Sequence, residues 1–154
     1  MAVGRATEVF WPSVRGAVLN PTTGESWEPQ TNHDLAALVT LAAAGVGATN
    51  GADQRNVNHR GVQVVVDITA ITGTGPTLTV KLQGKDAASG KYYDLLTSAA
   101  LAATGTTLLT LYPGAPSTAN VSIPQVLPAT WRVIATVGGT GPAVTATVGA
   151  SMII

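Results

Sequence analysis

Apolar and polar residues alternate along two neighbouring stretches of the chain, and this period of two constrains the fold most. The apolar positions of the two stretches are Val62, Val64, Val66 and Ile68, then Leu78, Val80 and Leu82. Successive side chains of a strand point to opposite faces, so the pattern predicts two half-buried β-strands. The joint at 72–76 reads Thr-Gly-Thr-Gly-Pro, in which glycine permits positive φ and proline can open the next strand. We therefore predict a β-hairpin with its turn at 72–76.

Other segments with strand character follow, separated by residues that favour turns. The predicted strands are 91–97, 106–112, 130–137 and 143–153, and the turns are 86–90, 113–116 and 138–142. The motif Gly-Thr-Gly-Pro occurs at 73–76 and again at 139–142, each time between two β segments. Short strands with Gly/Pro turns predict an all-β fold, either an antiparallel β-sandwich or a jelly-roll-like barrel. We place this domain at 35–154.

The segment 35–48 is ambiguous between helix and strand. Its Ala and Leu residues favour a helix, which Asn32 or Asp34 could cap, but Gly45 and Gly47 would end that helix early. The β character of the rest of the chain slightly favours a strand near 37–48.

Residues 1–34 differ from the rest and predict an extended N-terminal arm. Three prolines interrupt this segment, and it has no sustained period of two or 3.6. Its aromatic residues are costly to leave in water and are candidate anchors on a partner, together with two arginines. The predicted partner-binding residues are Arg5, Phe10, Trp11, Arg15 and Trp27. A disordered leader is the alternative interpretation.

Charge is scarce, and this limits the partners that the chain can have. Charged residues make up 10% of the sequence and the formal net charge is zero, whereas a typical domain has about 25% charged residues. No excess of positive charge would attract nucleic acid or anionic lipid, so we expect neither as a partner. An uncharged surface at zero net charge associates readily, which predicts a homo-oligomer, either a dimer or a trimer.

The residues that could carry chemistry are few and scattered. The chain has no cysteine, and His33 and His59 lack carboxylates at metal-ligand spacing. No Gly-x-Ser-x-Gly motif occurs, and the segment 84–92 departs from the phosphate-binding loop in spacing and in its last residue. We therefore predict no enzymatic activity, no cofactor and no metal. Lys85, Asp86 and Lys91 are interpreted as residues that solvate a turn.

Three aromatic residues of the domain could instead form a sugar-binding platform. Tyr92 and Tyr93 are adjacent on a predicted strand and face opposite sides, so one of them is expected in the core. Trp131 stands at the start of another strand, where packing in the core is the favoured interpretation.

Three runs of sequence resemble a known group of proteins. They are 52–69 (Ala-Asp-Gln-Arg-Asn-Val-Asn-His-Arg-Gly onward), 83–96 (Gln-Gly-Lys-Asp-Ala-Ala-Ser-Gly-Lys-Tyr-Tyr-Asp-Leu-Leu) and 126–133 (Val-Leu-Pro-Ala-Thr-Trp-Arg-Val). Together they resemble small proteins encoded in the head and structural gene modules of tailed bacteriophages. The resemblance implies a virion component on the outer surface of the capsid, in particular a capsid decoration (cement) protein that binds the major capsid protein. A carbohydrate-binding or adhesive β-sandwich, or a tail component, is the alternative.

Overall fold

The structure is a computed structural model that describes residues 33–154 and the two short strands Val18–Leu19 and Ser26–Trp27. The chain divides into two compact units, Met1–Thr31 and Asn32–Ile154. In the first unit, β1 (Val18–Leu19) pairs antiparallel with β2 (Ser26–Trp27), which places Val18 opposite Trp27. The arm predicted at 1–34 lies almost wholly outside the described residues and stays a prediction, but His33 and Asp34 belong to the first strand of the second unit.

The second unit is built from strands, and the residues described in it contain no helix. The all-β prediction is confirmed. The strands are β3 (His33–Ala44), β4 (Gly47–Asn50), β5 (Gln54–Arg55), β6 (Gly61–Lys85), β7 (Tyr92–Thr97), β8 (Gly105–Leu111), β9 (Ser122–Ile123) and β10 (Thr130–Ile153). All the strand pairs are antiparallel except β8 with β9.

A ribbon of the two longest strands, β6 and β10, organises this unit. The strands pair in two stretches, 61–72 with 143–153 and 77–84 with 131–138. The first stretch is flanked by β3 on the β10 side and by β8 on the β6 side, and the second is flanked by β4 and β5 and by β7. Apolar side chains from both halves of the ribbon belong to one buried core cluster. This arrangement agrees with a β-sandwich whose long strands pass from one sheet to the other.

The predicted hairpin at 72–76 is wrong, because the two alternating runs are halves of one strand and do not pair with each other. The turn predicted at 138–142 likewise lies inside β10. The two Gly-Thr-Gly-Pro motifs lie across from each other, with Thr74 opposite Thr140, and both strands have irregular register there. A two-stranded ribbon can bend only if both of its strands bend together, and this explains why the motif occurs twice.

The ambiguous segment 35–48 forms strands, so the helix alternative is wrong. β3 covers its first part and β4 begins after the break at Gly45 and Val46. Apolar residues of β3, including Val39 and Leu41, are buried against the core. Pairing with β10 therefore overrides the helix propensity of the alanines in this segment.

The core consists mostly of Val, Leu and Ala side chains in strict alternation. Along β10 the positions 131, 133, 135 and 137 are buried, and after the bend the buried positions are 142, 144, 146, 148, 150 and 152. Trp131 is fully buried, as predicted, and it is the one aromatic residue of the described core. Neither Tyr92 nor Tyr93 is part of this core, so the expectation that one of them packs inside is wrong.

Candidate functional site

The predicted arm anchors fall outside the part of the chain whose side chains are described. Arg5, Phe10, Trp11 and Arg15 precede β1, and for Trp27 the structure gives only its backbone position in β2, opposite Val18. Their role in binding a partner stays a prediction.

The three runs of sequence that carry the resemblance lie together in the second unit. In the first run, β5 pairs with Thr130 and Trp131 of the third. Gly84 of the second run lies opposite Trp131. The runs therefore meet at the end of the ribbon where Gly84 pairs with Trp131, away from the bend. We call residues 52–60, 81–96 and 124–132 the ribbon end.

A network of polar side chains covers part of the ribbon end, and Asp53 lies at one end of this network. The hydroxyl of Tyr92 donates to Asp53 Oδ1 at 2.7 Å, and Lys85 Nζ donates to Asp53 Oδ2 at 2.7 Å. These two donors lower the pKa of the Asp53 carboxyl, and the same contact with Asp53 raises the pKa of Lys85. The guanidinium of Arg132 stacks on the Tyr92 ring, with 3.4 Å from its central carbon to the ring centroid.

The network continues from Arg132 across two more strands. Arg132 donates from Nε and Nη2 to Gln83 Oε1, at 3.1 and 3.0 Å. Gln83 Nε2 donates to Asp94 Oδ1 at 2.7 Å, and Lys81 Nζ donates to Asp94 Oδ2 at 2.7 Å. The hydrogen bond from Gln83, followed by that from Lys81, lowers the pKa of the Asp94 carboxyl. Seven side chains thus hold one another in place and give this surface a fixed pattern of charge.

Each of the two carboxylates of the network already accepts hydrogen bonds from two donors. Among the residues that the structure describes, no group of three or more His, Cys, Asp or Glu could hold a metal ion. No helix in the same part of the chain is long and apolar enough to cross a membrane.

Asp86 and Lys85 were both interpreted from the sequence as residues that solvate a turn, but in the structure they have different roles. Asp86 accepts hydrogen bonds from the backbone N–H and the hydroxyl of Ser89, which lowers the pKa of its carboxyl and fits its interpretation as a turn residue. The same interpretation is wrong for Lys85, which pairs with Asp53.

Two loops at the ribbon end are joined to each other by hydrogen bonds. Asn56 closes its own turn by donating to the His59 carbonyl and accepting from the His59 N–H, both at 2.9 Å. Its side chain also donates to the Leu127 carbonyl at 2.9 Å, and the Leu127 N–H donates to the Arg60 carbonyl at 2.9 Å. These bonds fix the relative position of the loops 55–60 and 124–129.

The joined loops expose apolar and cationic side chains together. Val57 and Val126 are 57% and 64% exposed, and Arg55 and Arg60 are exposed as well. Within the described residues neither arginine has an ion-pair partner. We call Arg55, Val57, Arg60 and Val126 the arginine–valine surface. Arginine beside exposed apolar groups is typical of protein–protein contacts.

Sequence reasoning missed these residues for a physical reason. Lys81, Gln83 and Lys85 share one face of a strand by the period of two, so their proximity was predictable. Their partners Asp94 and Arg132 come from strands whose pairing the sequence does not reveal.

No protein-family model matches the chain, and no curated protein matches it. Among solved structures, the chain is similar to a chain in "Structure of infectious bursal disease virus Gx strain", with 10% sequence identity and a TM-score of 0.40. The match covers 87% of this chain and 35% of that chain.

Proposed function

We propose that the protein is a virion structural protein that decorates the outside of a tailed-phage capsid and stabilises it by binding across subunits of the major capsid protein. The observation that carries this proposal is the ribbon end, where the three runs of phage-like sequence meet. This surface combines a fixed polar network with exposed arginines and valines, a composition suited to a protein partner.

Decoration of this kind stabilises a shell through binding alone. A protein that binds the assembled shell and not its free subunits shifts the equilibrium toward the shell by mass action. Each 100 Å² of apolar surface that the contact buries contributes about 2.5 kcal/mol before the cost of association is subtracted. The aromatic residues predicted as arm anchors, Phe10 and Trp11 among them, would supply much of that surface.

We propose no catalytic role for the polar network, because its carboxylates are committed to cations and hydrogen-bond donors of the same network. The carbohydrate-binding alternative depended on an outward platform of Tyr92, Tyr93 and Trp131, and it loses one member of that platform because Trp131 is fully buried.

A chain beginning at Asn32 tests the part that the arm plays in decoration. It retains the whole of β3, and the second unit should fold without the first because all the core residues that the structure describes belong to the second unit. We expect the shortened chain to lose most of its binding to undecorated shells, measured by co-sedimentation. Circular dichroism of the shortened chain is the control for folding. If the shortened chain folds and decorates shells as fully as the complete chain, the proposed anchoring by the arm is wrong.

A further inference from the structure

The arginine–valine surface has features of a binding site whose occupant must be acidic and apolar. Arg55 and Arg60 flank the turn that Asn56 closes, so their backbone positions are fixed. Two of the most exposed large apolar side chains of the described residues, Val57 and Val126, lie on the same pair of joined loops. A fitting occupant offers carboxylates to the arginines and a large apolar side chain to the valines.

Other cations of the second unit already have partners. Lys81 and Lys85 each form an ion pair at 2.7 Å, with Asp94 and Asp53 respectively. Arg132 stacks on Tyr92 and donates to Gln83. The two arginines of the arginine–valine surface, like Lys91, therefore stand exposed without an ion-pair partner among the described residues.

Copies of the chain could also associate by adding a strand to the edge of β3, but this edge is less suited to association than the arginine–valine surface. The pairing of β3 with β10 is interrupted by two irregularities of register, one near Ala146 and one near Ala150. At the first of these, Ala43 has a φ of 49°, and its N–H donates to Thr145 Oγ1. Irregular edges of this kind oppose the addition of another strand.

The chain itself contains a segment with the required chemistry. All of its glutamates, Glu8, Glu25 and Glu28, lie in the first unit, and the segment 25–28 reads Glu-Ser-Trp-Glu. Residues 1–31 hold two arginines against three glutamates, whereas residues 32–154 hold six Lys and Arg against five Asp. The two parts of the chain are thus opposite in net charge.

We propose that the arginine–valine surface binds the segment 25–28 of a second copy of this chain, with Trp27 against the valines and the two glutamates beside Arg55 and Arg60. Copies exchanging this segment would form the homo-oligomer. This goes beyond the proposed function, because it concerns contacts between copies and leaves Phe10 and Trp11 for the shell.

The apolar contact and the ion pairs would contribute differently to this interface. An exposed ion pair adds little affinity, whereas a tryptophan that becomes buried contributes a large apolar area. The charges instead select the partner, because bringing like charges together is unfavourable. Reversing the charges on one side should therefore block association, and reversing them on both sides should restore it.

Sedimentation equilibrium of the full chain and of two charge-reversed variants tests this inference. We expect the wild-type chain to be oligomeric, and we expect Arg55→Glu/Arg60→Glu and Glu25→Lys/Glu28→Lys each to dissociate about tenfold more readily or worse. Mixing the two variants should restore association, because each arm then meets a surface of opposite charge. Lys91→Glu, which changes an exposed cation on the turn after β6, is the control and should leave association unchanged.

The oligomeric state of the wild-type chain and of each variant alone distinguishes exchange between copies from binding within one chain. If segment 25–28 bound its own copy, reversing the charges on one side would dissociate no oligomer, and the inference would be overturned. It would also be overturned by a monomeric wild-type chain, or by variants that associate as the wild type does. The experiment needs no capsid, so its failure would leave the proposed function untouched.

Discussion

Replacing Trp131 with alanine is expected to lower the free energy of unfolding by about 3–5 kcal/mol. The side chain is fully buried among aliphatic residues of the core, at the point where β10 pairs with both β5 and β6. Its removal leaves a cavity that the neighbouring strands cannot close without breaking their pairing. A typical domain is stable by only about 5–15 kcal/mol, so this change takes a large share of the total.

The variant Trp131→Phe distinguishes the stability contributed by packing of the aromatic ring from the cost of burying the indole N–H. The indole N–H of Trp131 is buried and has no hydrogen-bond partner among the described residues. Leaving such a donor unpaired costs about 1–3 kcal/mol, and phenylalanine removes this cost while it keeps most of the apolar volume. We therefore expect Trp131→Phe to lose far less stability than Trp131→Ala in urea denaturation. Equal losses for the two variants would contradict this account of the core.

The second large effect is expected at the bend of the ribbon, where Gly73→Ala and Gly139→Ala should each cost about 3 kcal/mol. These glycines have φ of 123° and 111°. A Cβ on Gly73 would lie 2.8 Å from Pro142 Cα, and one on Gly139 would lie 2.6 Å from the Gly75 carbonyl oxygen. Both clashes are with backbone of the opposite strand, which cannot move without opening the ribbon.

Two neighbouring glycines provide matched controls for the bend. Gly75 and Gly141 have φ of 58° and 55°, but a Cβ on either would meet open space. Alanine at these positions should cost only about 1 kcal/mol, the strain of the left-handed conformation. Urea denaturation of the four variants compares them directly. If Gly75→Ala proved as costly as Gly73→Ala, the two motifs would not be packed against each other and the ribbon topology would be wrong.

The bend also shows how far the sequence could predict this fold. The period of two identified the strand segments and the residues that face the core, including Val62 and Leu78, because side-chain alternation is a local property. Positive φ at glycine is also a local property, but it is compatible both with a turn that reverses the chain and with a bend in a continuous ribbon. Only the pairing between 73–76 and 139–142, which are far apart in sequence, distinguishes the two.

The same limit applies to the candidate site. The sequence identified the segments that form the ribbon end. It predicted Lys85 to be a turn residue, however, and gave no reason to select Arg132. The hydrogen bond between Arg132 and Gln83 joins residues 49 positions apart, and the one between Lys85 and Asp53 joins residues 32 positions apart. Such contacts depend on which strands are neighbours, and a composition with few charges gives no local indication of them.

Cryo-electron microscopy of purified phage particles is the most direct test of the proposed decoration. The account predicts density for the β domain on the outer surface of the head, with each copy contacting more than one major capsid subunit. Absence of the protein from the particles, or its presence on the tail alone, would contradict it.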